Sequence, residues 1–584
     1  MQLNQHLNMW EGRVHTNTKN FQGVMGLSDQ VGTDLFLGNG TYSLWTKDSP
    51  DPVETGKFPA PTTYGAHPFI MGAGQDGEWF GLYSNVANAQ DWVIHNEESD
   101  GSVVINMLAS GGRGDLSIWV GETPNDVVQT YHQRIVGLPV VTPQWALGWH
   151  QSKWGYKDTQ YLKQVVDEYE TAQLPLDGIW SDIDYMEDYK DFIVDQELFG
   201  DLKEFVANLT HIHYIPIVDA GIAQRIKSVG GKTPYLPYIH GHLDNLFIKS
   251  HAFSNDSFTG RVWPGDVVYP DYTNPQTQHY WSGWLSYLQE QTGFDGIWLD
   301  MNEASNFCDG YCFWDQQPQH HVQRNLKYVP TGQNLETGAI ALDAVHYDGS
   351  LELDAHSLYG TMETEATHNY FVETLKKRPM IIARSSFAGS GKYGSRWLGD
   401  NFSTYNYLAY SVTGVMMQNI MGIPLAGADI CGFNGNTTAD LCARWYTIGS
   451  FYPFSRNHNH QHSVRQAPFE FNGTFPHYPI KYAYIDIMRW AMWNKMSLIR
   501  YYYSEISQVQ RTGGAFFRPL FFDYPNDGPD VYAHQVRNVM LGNSLKLGII
   551  PDFGHSGTSH YPIYFPKGMW CEVFNRKGTE GCSY

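Results

Sequence analysis

The sequence predicts an α/β protein: a (β/α)8 TIM barrel with two inserted loops or subdomains, flanked by an N-terminal β-sandwich and a C-terminal β domain. Three observations carry this expectation. From about Pro139 to residue 492, short apolar runs alternate with helix-like stretches, and nearly every run ends in a polar or charged residue. Residues 1–138 show no long helical period, only alternating or short apolar segments such as GEWFGLYSNV and GSVVINMLA, separated by Gly, Asn and Asp. After about 493 the alternating pattern returns in GGAFFRPLFFDYP, LGNSLKLGIIP and PIYFPKGMW. At 584 residues the chain is too long for one compact core, which agrees with two or three domains.

Taken in order, the N-terminal segment includes a loop, LWTKDSPDP, that leads into TYGAHPFIM; within it Asp48 stands beside the turn formers Pro50 and Asp51. Eight candidate barrel strands follow, at 146–151, 177–185, 214–222, 295–303, 379–386, 397–402, 423–433 and 451–458. The stretch TQYLKQVVDEYETAQ after the first reads as a helix. Residues 223–290 and 304–375 are too long for single connecting helices and are expected to be insertions. The fourth run, FDGIWLDMNEASNF (Phe294 to Phe307), is the most informative. Ile297, Trp298 and Leu299 suit a buried strand, and Asp300, Asn302 and Glu303 stand at its C-terminal end, where an α/β barrel places its active site. Read alone, Asp300 would equally serve as a helix cap.

This contiguous stretch resembles the nucleophile signature of glycoside hydrolase family 31, the retaining α-glucosidases. SRWLGDN (395–401) resembles the family's acid/base motif, so the resemblance implies Asp300 as nucleophile and Asp400 as acid/base. It further implies sugar contacts from Asp48, from Asp182 in SDIDYM, from Arg384 in IARSSF, from Asp429 in GADICGF and from His458 in FSRNHNH. Trp263 in VWPGDVVYPDYTNP would line the pocket, and Ile183, Ile217, Trp298, Met301, Trp397 and Phe433 would form apolar walls, with plain barrel packing as the alternative for the aliphatic members. The resemblance covers nearly the whole chain. The family's sandwich usually has more sequence ahead of the Asp48 loop and a second, distal β domain follows, so residue 1 is not expected to be the biological N-terminus.

Within the family, DMNEASNF is similar to the lysosomal, intestinal and secreted α-glucosidases, which implies an exo-acting enzyme on maltose-type oligosaccharides, glycogen or starch. A glycoprotein-trimming glucosidase is the nearest alternative. A non-catalytic sugar-binding homologue would be expected to lack one carboxylate, and both are present.

Composition bounds the remaining choices. A net charge of −22 and a pI near 5.4 argue against a nucleic-acid partner. No run of eighteen apolar residues implies a membrane span, and the first ten residues lack the basic and apolar regions of a signal peptide. Aromatic residues make up 15% of the chain, which suits stacking on the C–H faces of sugar rings. His458, His460 and His462 alternate, but without a H-E-x-x-H or paired cysteine motif neither a metal nor a cofactor is expected. Six cysteines allow 15 connectivities. Local pairing, such as Cys431 with Cys442, is the simplest, and with six N-x-S/T sequons it points to an oxidising, lysosomal or secreted setting.

Overall fold

A computed structural model of the chain describes residues 10–16, 23–49, 62–73, 77–96, 102–224, 234–251, 256–313, 326, 328–330, 334–474, 482–533, 535–550, 563–574 and 582–583. The first ten residues lie outside these except Trp10, as does the sequon at Asn255.

The N-terminal strands form two antiparallel sheets. One orders Trp10–Thr16, Val103–Ala109, Gln90–Asn96 and Gly40–Leu44; the other orders Phe36–Leu37, Val24–Gly26, Phe69–Ala73, Trp79–Ser84 and Leu116–Gly121. Alternation sends Leu44, Trp92, Ile94, Ile105 and Met107 from the first sheet and Val24, Ile70 and Leu82 from the second into one buried cluster, as in a face-to-face sandwich. Phe387, from beyond the fifth barrel strand, packs into the same cluster, so the sandwich sits directly on the barrel.

Six parallel strands pair in sequence order: Trp149–Gln151, Gly178–Ser181, His213–Asp219, Ile297–Asp300, Ile381–Ala383 and Ser395–Trp397. The seventh is split at Ala428. Ala426–Gly427 pairs with the sixth, and Asp429–Ile430 pairs with the eighth, Ser455–Asn457, which pairs back to the first. The two halves together close the ring. The helix Thr159–Thr171 forms where expected: the Asp158 side chain accepts the Tyr161 N–H, and Leu162, Val165 and Tyr169 share a buried face at helical spacing.

The strands are shorter than the apolar runs predict. The fourth ends at Asp300 and the sixth at Trp397, so Glu303 and Asp400 stand on the loops beyond. The eighth ends at Asn457, which places His458, His460 and His462 in a loop rather than on one face of a strand. The first insertion carries a small antiparallel sheet of Ile222–Ala223, Gly265–Val268 and Gly260–Val262, and Trp263 sits at the tip of the hairpin between the last two. The second is only partly an insertion, because its end supplies the barrel helix Tyr359–Asn369. The expected start of the C-terminal β domain at 493 falls inside one 29-residue helix, Tyr484–Thr512; strands resume at Phe517–Pro519, which pairs with Asn538–Leu541 and through it with Leu545–Gly548.

Cys308 bonds Cys312 and Cys431 bonds Cys442, while Cys571 faces Cys582 across a short strand pair. Of the sequons, Asn39, Asn208, Asn436 and Asn472 are exposed, whereas Asn401 is 6% exposed and its amide donates to the Asp429 carbonyl. The Cys431–Cys442 bridge ties the end of the seventh strand to the helix Ala439–Gly449. Replacing both cysteines by Ser is expected to lower unfolding stability by about 3 kcal/mol, the loop-entropy value for a crosslink of this span. Denaturant melts of the oxidised protein and the double variant check this.

Candidate active site

The polar tips of the barrel strands converge on one buried cation, Arg384, immediately after the fifth strand. It is 2% exposed, and three carboxylates face it. Its Nη2 and Nε donate to Glu303 at 2.8 and 3.1 Å, its Nη2 reaches Asp48 Oδ2 at 3.4 Å, and its Nε lies 3.2 Å from Asp300 Oδ1. The Asp300 contact is an ion pair without hydrogen-bond alignment, and that oxygen has no hydrogen-bond partner among the described protein atoms. Met301, at φ 57°, turns the chain directly after Asp300 and brings its Sδ to 3.1 Å from Arg384 Nη2. A non-glycine residue held at positive φ is a strained device often found at functional sites.

The N-terminal segment completes this centre. The Arg384 guanidinium lies 4.8 Å from the Tyr64 ring centre, and the Tyr64 hydroxyl accepts the Asp400 N–H. Gly399, at φ +76°, makes room for that ring, since a Cβ there would meet Tyr64 Cε2 at 2.0 Å. Behind Arg384, Arg396 Nε donates to the Arg384 carbonyl, while its two terminal nitrogens hold Asp29 of the sandwich. Burial would raise Asp29, yet the Arg396 charge and hydrogen bonds bring it down to about 2, so this clamp stays ionised.

The acids of the site respond differently. Burial raises Asp300, and Arg384 is the largest force opposing that rise. Glu303 is raised by burial and likewise restrained by Arg384. Asp400 is pushed well above the usual carboxylate range, first by burial, against Arg384, and further by Asp300, Asp48 and Asp429. The Asp300 charge thus contributes to the rise of Asp400, with desolvation as the larger cause.

A second buried cation organises the floor. Arg456 donates to Asp429 Oδ1 at 2.6 Å and lies 4.9, 4.5 and 5.2 Å from the ring centres of Trp180, Trp298 and Trp397. Burial brings Asp429 up to about 6 despite Arg456. His458 packs between Phe433, stacked at 5.1 Å, and Trp298, edge-on at 5.1 Å, with Nε2 3.5 Å from Asp182 Oδ2. Burial drives His458 well below its usual value and Asp182 well above, so the two meet largely uncharged and the contact is not a strong ion pair.

Aromatic rings continue outward from His458 and Phe433. His460 stands 5.5 Å from Phe433, Trp154 4.7 Å from His460, Trp263 5.2 Å from Trp154 and Phe307 4.9 Å from Trp263. The run begins on buried rings and ends on Trp263 and Phe307, 38% and 50% exposed.

The structure therefore brings Asp48, Asp300, Met301, Arg384 and Asp400 together around one centre, and Asp182, Trp298, Trp397, Asp429, Phe433 and His458 around a neighbouring one. Trp263 stands on the rim rather than in the depth. Ile183 and Ile217 are buried in the main barrel core. Sequence reasoning gave no role to Tyr64, Trp154, Glu303, Arg396 or Arg456. Tyr64, Glu303, Arg396 and Arg456 lie inside the motifs already singled out, and Trp154 follows the first strand tip as the other site residues follow theirs. Among the described residues no group of three or more His, Cys, Asp or Glu could hold a metal ion.

Comparison with known proteins agrees with this fold. The profile described as the Glycosyl hydrolases family 31 TIM-barrel domain matches residues 139–505. The lysosomal alpha-glucosidase of Rattus norvegicus is 35% identical over 556 residues, covering 94% of this chain and 54% of that protein. The alpha-glucosidase of Hordeum vulgare is 32% identical, covering 94% of this chain and 59% of its own. The chain thus spans little more than half the length of these relatives. A crystal structure of the glucosidase II alpha subunit superposes with a TM-score of 0.81 at 23% identity, covering 97% of this chain and 58% of that one, a likeness of fold.

Arg384 offsets the charge of the acids around it. Because burial raises Asp300 and Glu303 in the folded protein, their ionisation costs stability as pH rises through the raised values, and loss of Arg384 enlarges that cost. Arg384→Leu is expected to cost about 3–5 kcal/mol at neutral pH. The deficit should shrink as the buffer is acidified, because protonation removes the uncompensated charge. Denaturation midpoints across pH check both the size and the direction.

Proposed function

The chain belongs to glycoside hydrolase family 31, and from that premise we propose that it is a retaining, exo-acting α-glucosidase that removes terminal non-reducing glucose from maltose-type oligosaccharides or α-glucans. The observation that carries the reading is the contrast between two acids of one pocket. Burial raises both, but Asp300, with Arg384 3.2 Å away as the largest influence opposing the rise, is raised less, while Asp400 is driven well above the carboxylate range, which favours its protonated form. A retaining glycosidase needs that division: an anionic nucleophile and a protonated acid.

In the first step Asp300 attacks the anomeric carbon as the glycosidic C–O bond breaks, and Asp400 gives its proton to the leaving oxygen. A glucosyl ester on Asp300 no longer carries charge, which weakens one of the influences raising Asp400. Asp400 then takes a proton from water as the water attacks the anomeric carbon, freeing Asp300. Asp182, Asp429, His458 and Asp48 are the groups proposed to bind the glucose hydroxyls. The buried floor of Trp298, Phe433 and His458 closes the inner end, which favours removal of one residue at a time. The aromatic run from His460 to Phe307 leads outward, where the leaving sugar would stack.

The names of the lysosomal relatives and the disulfides support a lysosomal or secreted location. No helix among the described residues is long and apolar enough to cross a membrane. A glycoprotein-trimming role is kept as the second reading because the glucosidase II alpha subunit shares the fold.

The division of roles is testable. For the wild type kcat/KM should fall on the acid side as Asp300 protonates and on the basic side as Asp400 loses its proton. Asp400→Asn should remove the basic limb and cost about 10²–10⁴-fold on maltose, while an aryl α-glucoside with a good leaving group keeps most of its first-step rate. Equal losses on both substrates would deny Asp400 the acid role.

A further inference from the structure

The segment that follows the Asp300 strand folds back against the loop that carries Asp48, and the contact between them is built on a buried carboxylate. Glu352 is fully buried, and each of its oxygens faces an imidazole: Oε2 lies 2.8 Å from His346 Nε2 and Oε1 2.6 Å from His356 Nδ1. The other nitrogen of His346 faces Asp271 Oδ1 at 3.2 Å. The other nitrogen of His356 donates to the Thr46 carbonyl at 2.7 Å, and its ring stacks on Trp45 at 4.3 Å and 21°. Trp45 is itself pinned, its Nε1 donating to the Leu335 carbonyl at 3.0 Å. Two residues after Thr46 comes Asp48, whose carboxylate is 29% exposed and faces Arg384.

These contacts link elements about 300 positions apart in the chain, with |i−j| of 310 for His356 to Thr46 and 336 for Arg384 to Asp48. The strand Gly40–Leu44 ends just before Trp45, so the sheet no longer fixes the backbone at Asp48. The Glu352 chain takes over there. Burial would raise Glu352, but the hydrogen bonds from His346 and His356 hold it below its usual value; His346, opposed by burial, is lifted to about 10 by Asp271 and Glu352. Neither imidazole touches the reacting centre. Their geometry serves the loop.

We propose that Glu352 is a positioning residue: through His356 it latches the Trp45–Thr46 backbone and thereby holds Asp48 at the sugar-binding centre. This rests on the reading of Asp48 as a substrate contact, and it assigns to the segment after the nucleophile strand a role in substrate affinity rather than in bond cleavage. Loosening the latch should weaken binding of the terminal glucose and leave burial and Arg384, the two largest influences on Asp300 and Asp400, in place.

A double-mutant cycle with hydrogen exchange tests it. Asp48→Ala should raise KM for maltose about tenfold or more, the loss expected when a hydrogen bond to a charged group is removed. Glu352→Gln should raise KM roughly fivefold with kcat and the acid and basic limbs of the pH profile little changed, on the same scale of interaction. In the Asp48→Ala background Glu352→Gln should add nothing to KM. Amide exchange in the peptide covering 45–48 should quicken in Glu352→Gln while the barrel strands keep their protection. Unchanged exchange in that peptide, or a KM effect of the same size in both backgrounds, would overturn the latch. An unchanged KM in Asp48→Ala would instead overturn the substrate contact, with exchange still deciding whether the latch exists. If Glu352→Gln does not fold, Trp45→Leu loosens the same latch from the loop side without disturbing buried charge, and the same outcomes apply.

Discussion

One guanidinium placed among three carboxylates constrains most of this molecule. Arg384 cannot neutralise Asp48, Asp300 and Glu303 together, so the centre keeps an excess of negative charge in a setting where water is largely excluded. Coulomb interactions are several-fold stronger there than in bulk water. The imbalance separates the acids: Arg384 restrains the rise that burial imposes on Asp300, while Asp400 is driven well above the usual carboxylate range. The proposed mechanism requires the first as its anion and the second as the neutral acid at once. The same arrangement is costly to the fold, which is why the cation is gripped from behind as well. Arg396 binds its carbonyl, and Asp29 of the sandwich binds Arg396.

The sandwich is therefore part of the proposed catalytic assembly. It supplies Asp48 to the carboxylate cluster, Tyr64 to the backbone of Asp400 and Asp29 to the clamp. A barrel closed by eight short strands offers only a few residues of regular pairing at each tip, and the loops beyond those tips carry Glu303, Asp400 and His458. Precision at such positions has to come from contacts outside the barrel. The floor around Arg456 follows the same logic with different chemistry: its cation rests on three indole faces and pairs with one carboxylate.

Much of the fold was legible in the sequence because both strand and helix leave a period. The runs around Ile297, Ile381 and Ala426 are apolar for a few residues and then turn polar, and that transition marks where a barrel strand opens into its loop. It overstates strand length, since apolar residues past the last ladder hydrogen bond still face the core. The helix Tyr484–Thr512 escaped notice because its aromatic residues, Trp490, Trp493, Tyr501, Tyr502 and Tyr503, look like strand composition when read without the 3.6-residue spacing. In the site, Asp300 and Asp400 stood out because each sits in a contiguous motif. Tyr64 and Arg396 did not, because their partners lie hundreds of residues away or are backbone groups; Glu352 and His356 pair locally with each other, but the contact that gives the pair its place, His356 to the Thr46 carbonyl, spans 310 positions that no local pattern records. Ile183 and Ile217 show the converse: position in a motif named them as pocket walls, while their burial is what barrel packing alone would give.

The proposed chemistry stands on direct attack by Asp300. Two displacements at the anomeric carbon, each with inversion, return the starting configuration, and they place the two carboxyl groups of a retaining pair about 5–5.5 Å apart, too close to admit a water between nucleophile and sugar. Proton NMR of the anomeric signals during the first minutes of maltose hydrolysis reads this outcome without any variant. Release of α-glucose first, with β-glucose growing in only at the rate of mutarotation, is the predicted result; β-glucose as the first product would contradict attack by Asp300.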